Sequence, residues 1–314
     1  MSGEGGVISQ DLAASVELLR VREKGFEEAL GRFMNAARKS IDLWIERYFR
    51  ARYPSPLADR LLYAVMGGKR LRGSLLILYA HIEGDVESPL DLAAAVEMAH
   101  SASLVHDDIA DCSKMRRGRE AFWVRFGLHE AVTIPHMLIA EALSIIGRKG
   151  KDLLIKSIEG WRLAARGQYC DILAKRGESK LNYRELIRLK SGAVFATACY
   201  IGSSIAGGDA NAAHNFGMHL GTAYQALDDA VSIVRGDLDS GSAILALNVW
   251  GKGAVEELLN LAKREIEHGL LPLSSCTREV LAIFALKTLE RISIEGGKDL
   301  AERMRETISR ALHP

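Results

Sequence analysis

An all-α fold is what this chain of 314 residues predicts. Three observations carry that prediction. From Asp11 onward nearly every stretch places apolar residues at helical spacing, and the Val/Ile/Thr alternation of strands is rare. Pro is scarce, at 6 residues, so few points force a helix to stop. No composition shift, linker or fixed-period repeat divides the chain. The expected architecture is therefore a single-domain helical bundle over residues 11–314, with about ten or more helices. Residues 1–10, Gly-rich and polar, are read as a flexible N-terminus.

The elements follow in order. Glu83 to Glu87 is a turn. Ser88 is the expected N-cap of the next helix, Pro89 its first residue and Asp91 its first-turn acid. That helix runs through Ala93, Val96, Ala99, Ala102 and Leu104 to an acidic cluster. Gly118 and Gly127 punctuate the next segment. Helices are expected over Glu130–Gly147, Lys151–Arg176, Tyr183–Gly207 and Ala210–Val234. A Gly/Asp/Ser loop, Arg235 to Ser242, precedes the last three helices, near 253–269, 277–292 and 297–312.

Composition narrows the function classes. Apolar residues make up 48% and charged residues 26%, and the net charge is +1. That is an ordinary globular balance, with no global basic field for nucleic acid or an anionic membrane. Phosphate binding would have to rest on local Lys and Arg clusters. Cys112, Cys170, Cys199 and Cys276 are far apart without a CxxC pair, so reduced thiols and a cytoplasmic location are expected. No signal peptide is visible. No stretch approaches about 18 uninterrupted apolar residues, so no transmembrane segment is expected.

Two acidic clusters, Asp107-Asp108-Ile109-Ala110-Asp111 and Asp228-Asp229-Ala230-Val231-Ser232, stand out, each closing an apolar helical run. Asp107 and Asp111 lie one turn apart on one face, where like charges repel and oppose the helix dipole. Oxygen ligands of this kind favour Mg²⁺ over softer metals, although a helix end facing solvent fits the pattern too. Arg116-Arg117-Gly118-Arg119 follows the first cluster, where a surface salt-bridge network is the alternative. Gly67-Gly68-Lys69-Arg70-Leu71-Arg72-Gly73 opens a helix with three cations in its first turn. Free N–H groups, glycine and cations there suit a bound phosphate, or simply a solvated basic turn. Lys190-Ser191-Gly192 and Gly167-Gln168 with Asp171 are weak signals singly.

Their order is specific. GGKRLRG, HDDIAD with RRGR, GQ with Asp171, KSG, then YQALDD resembles the trans-type isoprenyl diphosphate synthases, the polyprenyl synthetase family, over residues 60 to 245. The resemblance implies the isoprenoid synthase bundle around a central cavity, with two Asp-rich motifs that hold Mg²⁺ on an allylic prenyl diphosphate. It assigns metal ligation to Asp107, Asp108, Asp111, Asp228 and Asp229, and catalysis to Asp107, Asp108, Asp111, Lys190 and Asp228. It places Arg116, Lys190 and Gln225 on the allylic diphosphate, and Lys69, Arg72, His100 and Arg117 on isopentenyl diphosphate. Arg70 joins that substrate-binding set as a supporting charge. The implied partners are these two substrates and a second copy of the chain, with a hetero-oligomer as the alternative.

Product length is read from the first acidic helix. Ala95, Ala99, Ala102 and Ser103, counted back from Asp107, are all small, whereas similar enzymes that stop early carry an aromatic residue four or five positions before the first Asp. Each turn descends about 5 Å, comparable to one prenyl unit. The expected product is geranylgeranyl diphosphate or longer, although small residues also permit close helix packing. The chain departs from the family pattern at Ser232, where a third acid is usual. It also departs at Gly241 to Ala246, where a Gly-Lys-x-Thr-Leu-Pro stretch is usual, at Trp123, and at Pro135-His136. A weakened subunit of a hetero-oligomeric synthase is thus an alternative. A class I terpene cyclase is a further one.

Overall fold

The computed structural model describes residues 26–84, 86 and 89–312. The expected flexible N-terminus and the Ser88 cap lie outside the described residues. The fold is all-α, with fourteen α-helices and a single two-stranded ribbon among the described residues. Contacts divide the chain into two compact units, Met1–Ile158 with Ile201–Gly208, and Glu159–Tyr200 with Asp209–Pro314.

In the first unit, α1 (Phe26–Arg52), α2 (Ser55–Val65), α3 (Leu71–Ile82) and α4 (Leu90–Ala110) precede a ribbon of β1 (Met115–Arg116) and β2 (Arg119–Glu120). The short α5 (Phe122–Phe126) and long α6 (Leu128–Gly147) follow. Helix α4 is the hub, packed against α6, α3 and α1. Leu92 to Met98 are buried without a break, which is why its periodicity is weak: a helix covered on most sides needs no polar face. Pro89 occupies the N-cap position rather than the first helical position expected for it.

Arg117-Gly118 is the two-residue connection of the ribbon, with φ of 55° and 75°. Two positive φ values in succession match the turn that a right-twisted hairpin favours. The RRGR segment is therefore a hairpin tip, with Arg116 opposite Arg119. Helix α6 is long and apolar enough by length and composition to cross a membrane, with mean hydropathy 1.3 over its window. Glu141 inside it accepts hydrogen bonds from Tyr48, Tyr53 and Arg52 of α1 and its end, the pattern of a core helix in a folded unit.

The second unit contains α7 (Lys151–Lys175) from Glu159 on, and α8 (Tyr183–Ile187), which begins with an Asn182/Glu185 capping box. A π-helical turn, Arg188–Gly192, leads into α9 (Ala193–Ala206), which belongs to this unit as far as Tyr200. The expected continuous helix from Tyr183 is thus interrupted at Lys190-Ser191-Gly192. Then come α10 (Ala210–Arg235), α11 (Gly241–Trp250), α12 (Ala254–Leu270), α13 (Ser275–Ser293) and α14 (Lys298–Leu312).

Helix α10 is the hub here, against α12, the π turn, α13 and α11. Gly221 makes the close approach to the π turn possible, since a Cβ there would sit 2.8 Å from Gly192 Cα. Helix α10 starts at Asp209, whose carboxylate accepts from the Asn211 and Ala212 N–H groups. It ends at Gly236 in the left-handed region, as helix C-termini commonly do. Asp228 and Asp229 therefore lie well inside α10, not at its end. Helix α11 occupies residues expected to be loop up to Ser242 and unassigned beyond.

Candidate active site

The first unit gathers cations around one histidine. Arg72 donates to His100 Nε2 at 2.9 Å, which makes the ring neutral with its proton on Nδ1. Burial depresses the His100 pKa well below the ordinary value, and the charges of Arg72, Arg117, Arg70 and Arg116 add to the fall. Burial and the same crowding push Arg117 down to about 10. Four guanidiniums felt by one imidazole constitute a strong local positive field in a chain of net charge +1. An anion is what such a field attracts.

These cations are held by backbone as well as by carboxylates. Arg117 donates to the Val65 and Met66 carbonyls at the end of α2, at 2.7 and 3.0 Å. Arg119 donates to the Tyr63 and Met66 carbonyls. The hairpin tip is thereby fastened to the carbonyl end of α2, where cations are favoured. Arg70 is placed differently. It is the N-cap of α3, in left-handed backbone at φ 53°, and its side chain is fully buried, on Asp42 at 2.7 Å and near Glu97 at 3.7 Å. Its position is that of a supporting charge. Lys69 is exposed, and only Arg72 of the three cations falls in the first helical turn.

In the first acidic motif, Asp107 and Asp108 lie in the last turn of α4 and Asp111 is its C-cap. Asp108 is buried and accepts from Arg116 Nε at 2.8 Å and from Nη2. Burial raises its pKa even against Arg116. Asp107 and Asp111 remain partly open, with hard oxygen donors one turn apart. Trp123 Nε1 donates to the Ser113 carbonyl at 2.8 Å and so secures the turn after the motif. Of the small residues upstream, Ala95 and Ala102 are fully buried, whereas Ala99 and Ser103 are partly open. Ala99, Ser103 and Asp107 share one strip at spacing four.

The second unit surrounds Asp229 with neutral donors. Tyr183 OH donates to its Oδ2 at 2.7 Å, while Gln225, Ser240 and Ser242 donate to Oδ1 at 3.1, 3.2 and 3.0 Å. Burial pushes this carboxyl up to about 7, with Asp228 adding to the rise and Tyr183, Lys190 and Gln225 opposing it. The same burial raises the Tyr183 hydroxyl well above its ordinary value, so it remains a donor. Lys190 pairs with Asp171 at 3.0 Å. Asp171 also accepts from the Gly241 and Ser242 N–H groups at 3.0 and 2.8 Å. Gln225 accepts from Ser191 through its Oε1. Asp228, next to Asp229, is partly open.

Among the described residues no group of three or more His, Cys, Asp or Glu side chains is gathered around a common metal position. Asp107 and Asp111 in one unit, and Asp228 in the other, are nevertheless accessible carboxylates of the donor type that fits Mg²⁺. Sequence reading missed Tyr183, Ser240 and Ser242. Ser240 had a usable signal: a serine directly before a Gly-Ser-apolar run is a helix N-cap pattern, and its Oγ accepts from the Ala243 N–H.

Residues 55–243 match the polyprenyl synthetase family model. The chain belongs to that family. It is accordingly a prenyltransferase. The hexaprenyl pyrophosphate synthase of Saccharolobus solfataricus is 32% identical over 232 residues, covering 72% of this chain and 80% of that protein. A geranylgeranyl diphosphate synthase of Methanosarcina mazei is 27% identical over 87% of this chain and 91% of its own length. The crystal structure of a geranyltranstransferase from Thermotoga maritima superposes with a TM-score of 0.72 at 23% identity, over 82% of this chain and 99% of that one. That last likeness concerns the fold.

Proposed function

We propose that this polyprenyl synthetase condenses isopentenyl diphosphate with an allylic prenyl diphosphate, in a Mg²⁺-dependent reaction, to give geranylgeranyl diphosphate or a longer trans-prenyl diphosphate. The observation that carries the reading is the positive field of Arg72, Arg116 and Arg117 around neutral His100, immediately beside Asp107 and Asp111. Carboxylates for a metal and guanidiniums for a diphosphate are there held in one unit. The names of the relatives support a product at or beyond the geranylgeranyl length.

In this reading Asp107 and Asp111 of the first unit, and Asp228 of the second, would each offer carboxylate oxygens to Mg²⁺, which would neutralise charge developing on a departing diphosphate. Arg116 of the first unit and Lys190 of the second are each read as cations for allylic diphosphate oxygens. Lys69, Arg72 and Arg117 hold isopentenyl diphosphate, with His100 fixed by Arg72. Ionisation leaves an allylic cation, the isopentenyl double bond attacks it, and loss of a proton restores an allylic product. No side-chain nucleophile is needed.

The active form is read as a homodimer. Leu128, Val132, Ile155 and Ile158 are each 45% exposed or more, and these aliphatic side chains suit a second copy. A cytoplasmic location is supported by the thiols of Cys112 and Cys170, which form no disulfide. The test is incubation of purified chain with Mg²⁺, labelled isopentenyl diphosphate and allylic primers of several lengths. Labelled prenyl diphosphates of geranylgeranyl length or longer are expected. No product with any primer sinks the reading of a self-sufficient enzyme.

A further inference from the structure

The second unit contains a polar network that the catalytic assignment does not use. Asp229 accepts four hydrogen bonds, from Tyr183 of α8, Gln225 of its own helix, and Ser240 and Ser242 at the start of α11. Such saturation leaves its lone pairs engaged by protein. Asp171 on α7 takes the N–H groups of Gly241 and Ser242. The fit is close, since a Cβ on Gly241 would lie 1.9 Å from the Asp171 carbonyl oxygen. The Ser240 and Ser242 hydroxyl oxygens also lie 2.8 Å apart, so one hydroxyl proton is shared between Asp229 and the neighbouring serine.

We propose that Ser240 and Ser242, acting through Asp229, are positioning residues that lock the start of α11 onto α10 and so set the direction of the Asp228 carboxylate. This rests on the reading of Asp228 as a Mg²⁺ ligand. The physical argument is one of rotation. Asp229 faces inward on α10 and is gripped from α8 and α11, so the turn of α10 that bears Asp228 cannot roll about its axis. Asp228, partly open and about 100° round that helix from Asp229, is thereby held at a fixed angle. Five or more buried hydrogen bonds converge on two carboxylates, and a network satisfied to this degree rigidifies what it connects. The segment Gly236–Ser240 between the two helices is thereby anchored at its far end. Asp229 serves as the inner anchor, and Asp228 is the partly open carboxylate of the pair.

The test uses the full chain and reads cation binding apart from turnover. Mn²⁺ binding in the presence of inorganic pyrophosphate is titrated by electron paramagnetic resonance for wild type, Asp228→Asn, Asp229→Asn and the double variant Ser240→Ala/Ser242→Ala. Circular dichroism melts are recorded in parallel. Asp228→Asn is expected to weaken binding by about tenfold or more. The serine double variant should weaken it by about threefold to tenfold with folding retained. Asp229→Asn, whose amide oxygen can keep the donors now on Oδ1 and whose NH₂ can donate to a Tyr183 hydroxyl turned to accept, should stay within about threefold of wild type. A loss in Asp229→Asn equal to that in Asp228→Asn would make Asp229 a ligand and overturn the proposal. So would a serine double variant with a lowered melting temperature and unaltered Mn²⁺ affinity. If the double variant does not fold, the Asp228/Asp229 pair alone decides. Absence of turnover in wild type, by contrast, bears on the proposed reaction and leaves these binding comparisons intact.

Discussion

The two acidic motifs look alike in sequence, yet their surroundings are of opposite kinds. Around the first, the neighbours are guanidiniums: Arg116 grips Asp108, and the charge of Arg117 acts on it too. Around the second, the neighbours of Asp229 are two serine hydroxyls, a tyrosine hydroxyl and an amide, with Lys190 engaged by Asp171. The first motif is built to collect charge. The second is built to be held still. A carboxylate's role follows from its donors as much as from its spacing, since an ionised donor strengthens a hydrogen bond roughly twofold over a neutral one.

The largest effect that separates the two should come from the open carboxylates. Asp107→Ala is expected to reduce kcat on the order of a hundredfold or more, with little change in melting temperature, because Asp107 is partly open and carries transition-state charge indirectly. A steady-state assay with a thermal melt measures both. A fall of only a few-fold would place the burden of ionisation elsewhere.

Next in size is Arg70→Met, which probes the cation set from the structural side. Arg70 is wholly buried against Asp42 and Glu97, and removing one partner of a buried pair strands the other at about 3–5 kcal/mol. Urea unfolding should show that loss. Lys69→Met, one residue earlier and exposed, should leave stability unchanged and raise KM for isopentenyl diphosphate. The pair separates a charge that supports from a charge that binds.

Much of this was legible before any coordinates. Helical spacing and low Pro content report directly on hydrogen-bonded local structure, so the all-α fold and most helices were readable. The motif order was specific enough to name Asp107, Asp111, Arg116 and Arg117 as candidates, and all four fall in the first unit. What stayed hidden depends on tertiary contact. The resemblance set Arg70 apart from Arg72 only as a supporting charge, and it takes the structure to bury the one on Asp42 and bring the other to His100. The RRGR segment read as a charge run, and only the positive φ at Arg117 and Gly118 makes it a hairpin tip. The break at Lys190-Ser191-Gly192 could not be seen because π-helical turns have no propensity signature of their own. Helix α11 was passed over because its Gly-Ser start resembles a loop, and the carboxylates that cap it, Asp171 and Asp229, are distant in sequence.

A smaller effect tests the neutral environment of the second motif. Asp229 is raised to about 7 in the folded protein, against about 3.9 for an ordinary Asp. Between those values the folded chain keeps a proton that the unfolded chain has released. Stability contributed by that protonated carboxyl is present at low pH and falls as pH rises through the window, reaching its floor above about pH 7. Asp229→Asn cannot titrate, so its urea midpoint should gain on wild type as pH is raised from about 5 to about 8, across the upper part of that window. A constant difference between the two proteins across that range would show that Asp229 is ionised throughout.

The smallest expected effect is on product length, and it sharpens the account of the first motif's helix. Four small residues precede Asp107 on α4, but only Ala99 and Ser103 lie on its partly open strip. Ala95 and Ala102 are fully buried. Ala99→Phe, two turns below Asp107, should therefore shorten the product by obstructing the strip while leaving the fold intact. Ala102→Phe should instead overpack the core and cost about 1–3 kcal/mol. Chromatography of dephosphorylated products and urea unfolding, run on both variants, distinguish the two positions. If Ala102→Phe shortened the product without loss of stability, and Ala99→Phe did neither, the growing chain would follow the other side of α4. In that case the strip shared by Ala99, Ser103 and Asp107 would serve the diphosphate end alone.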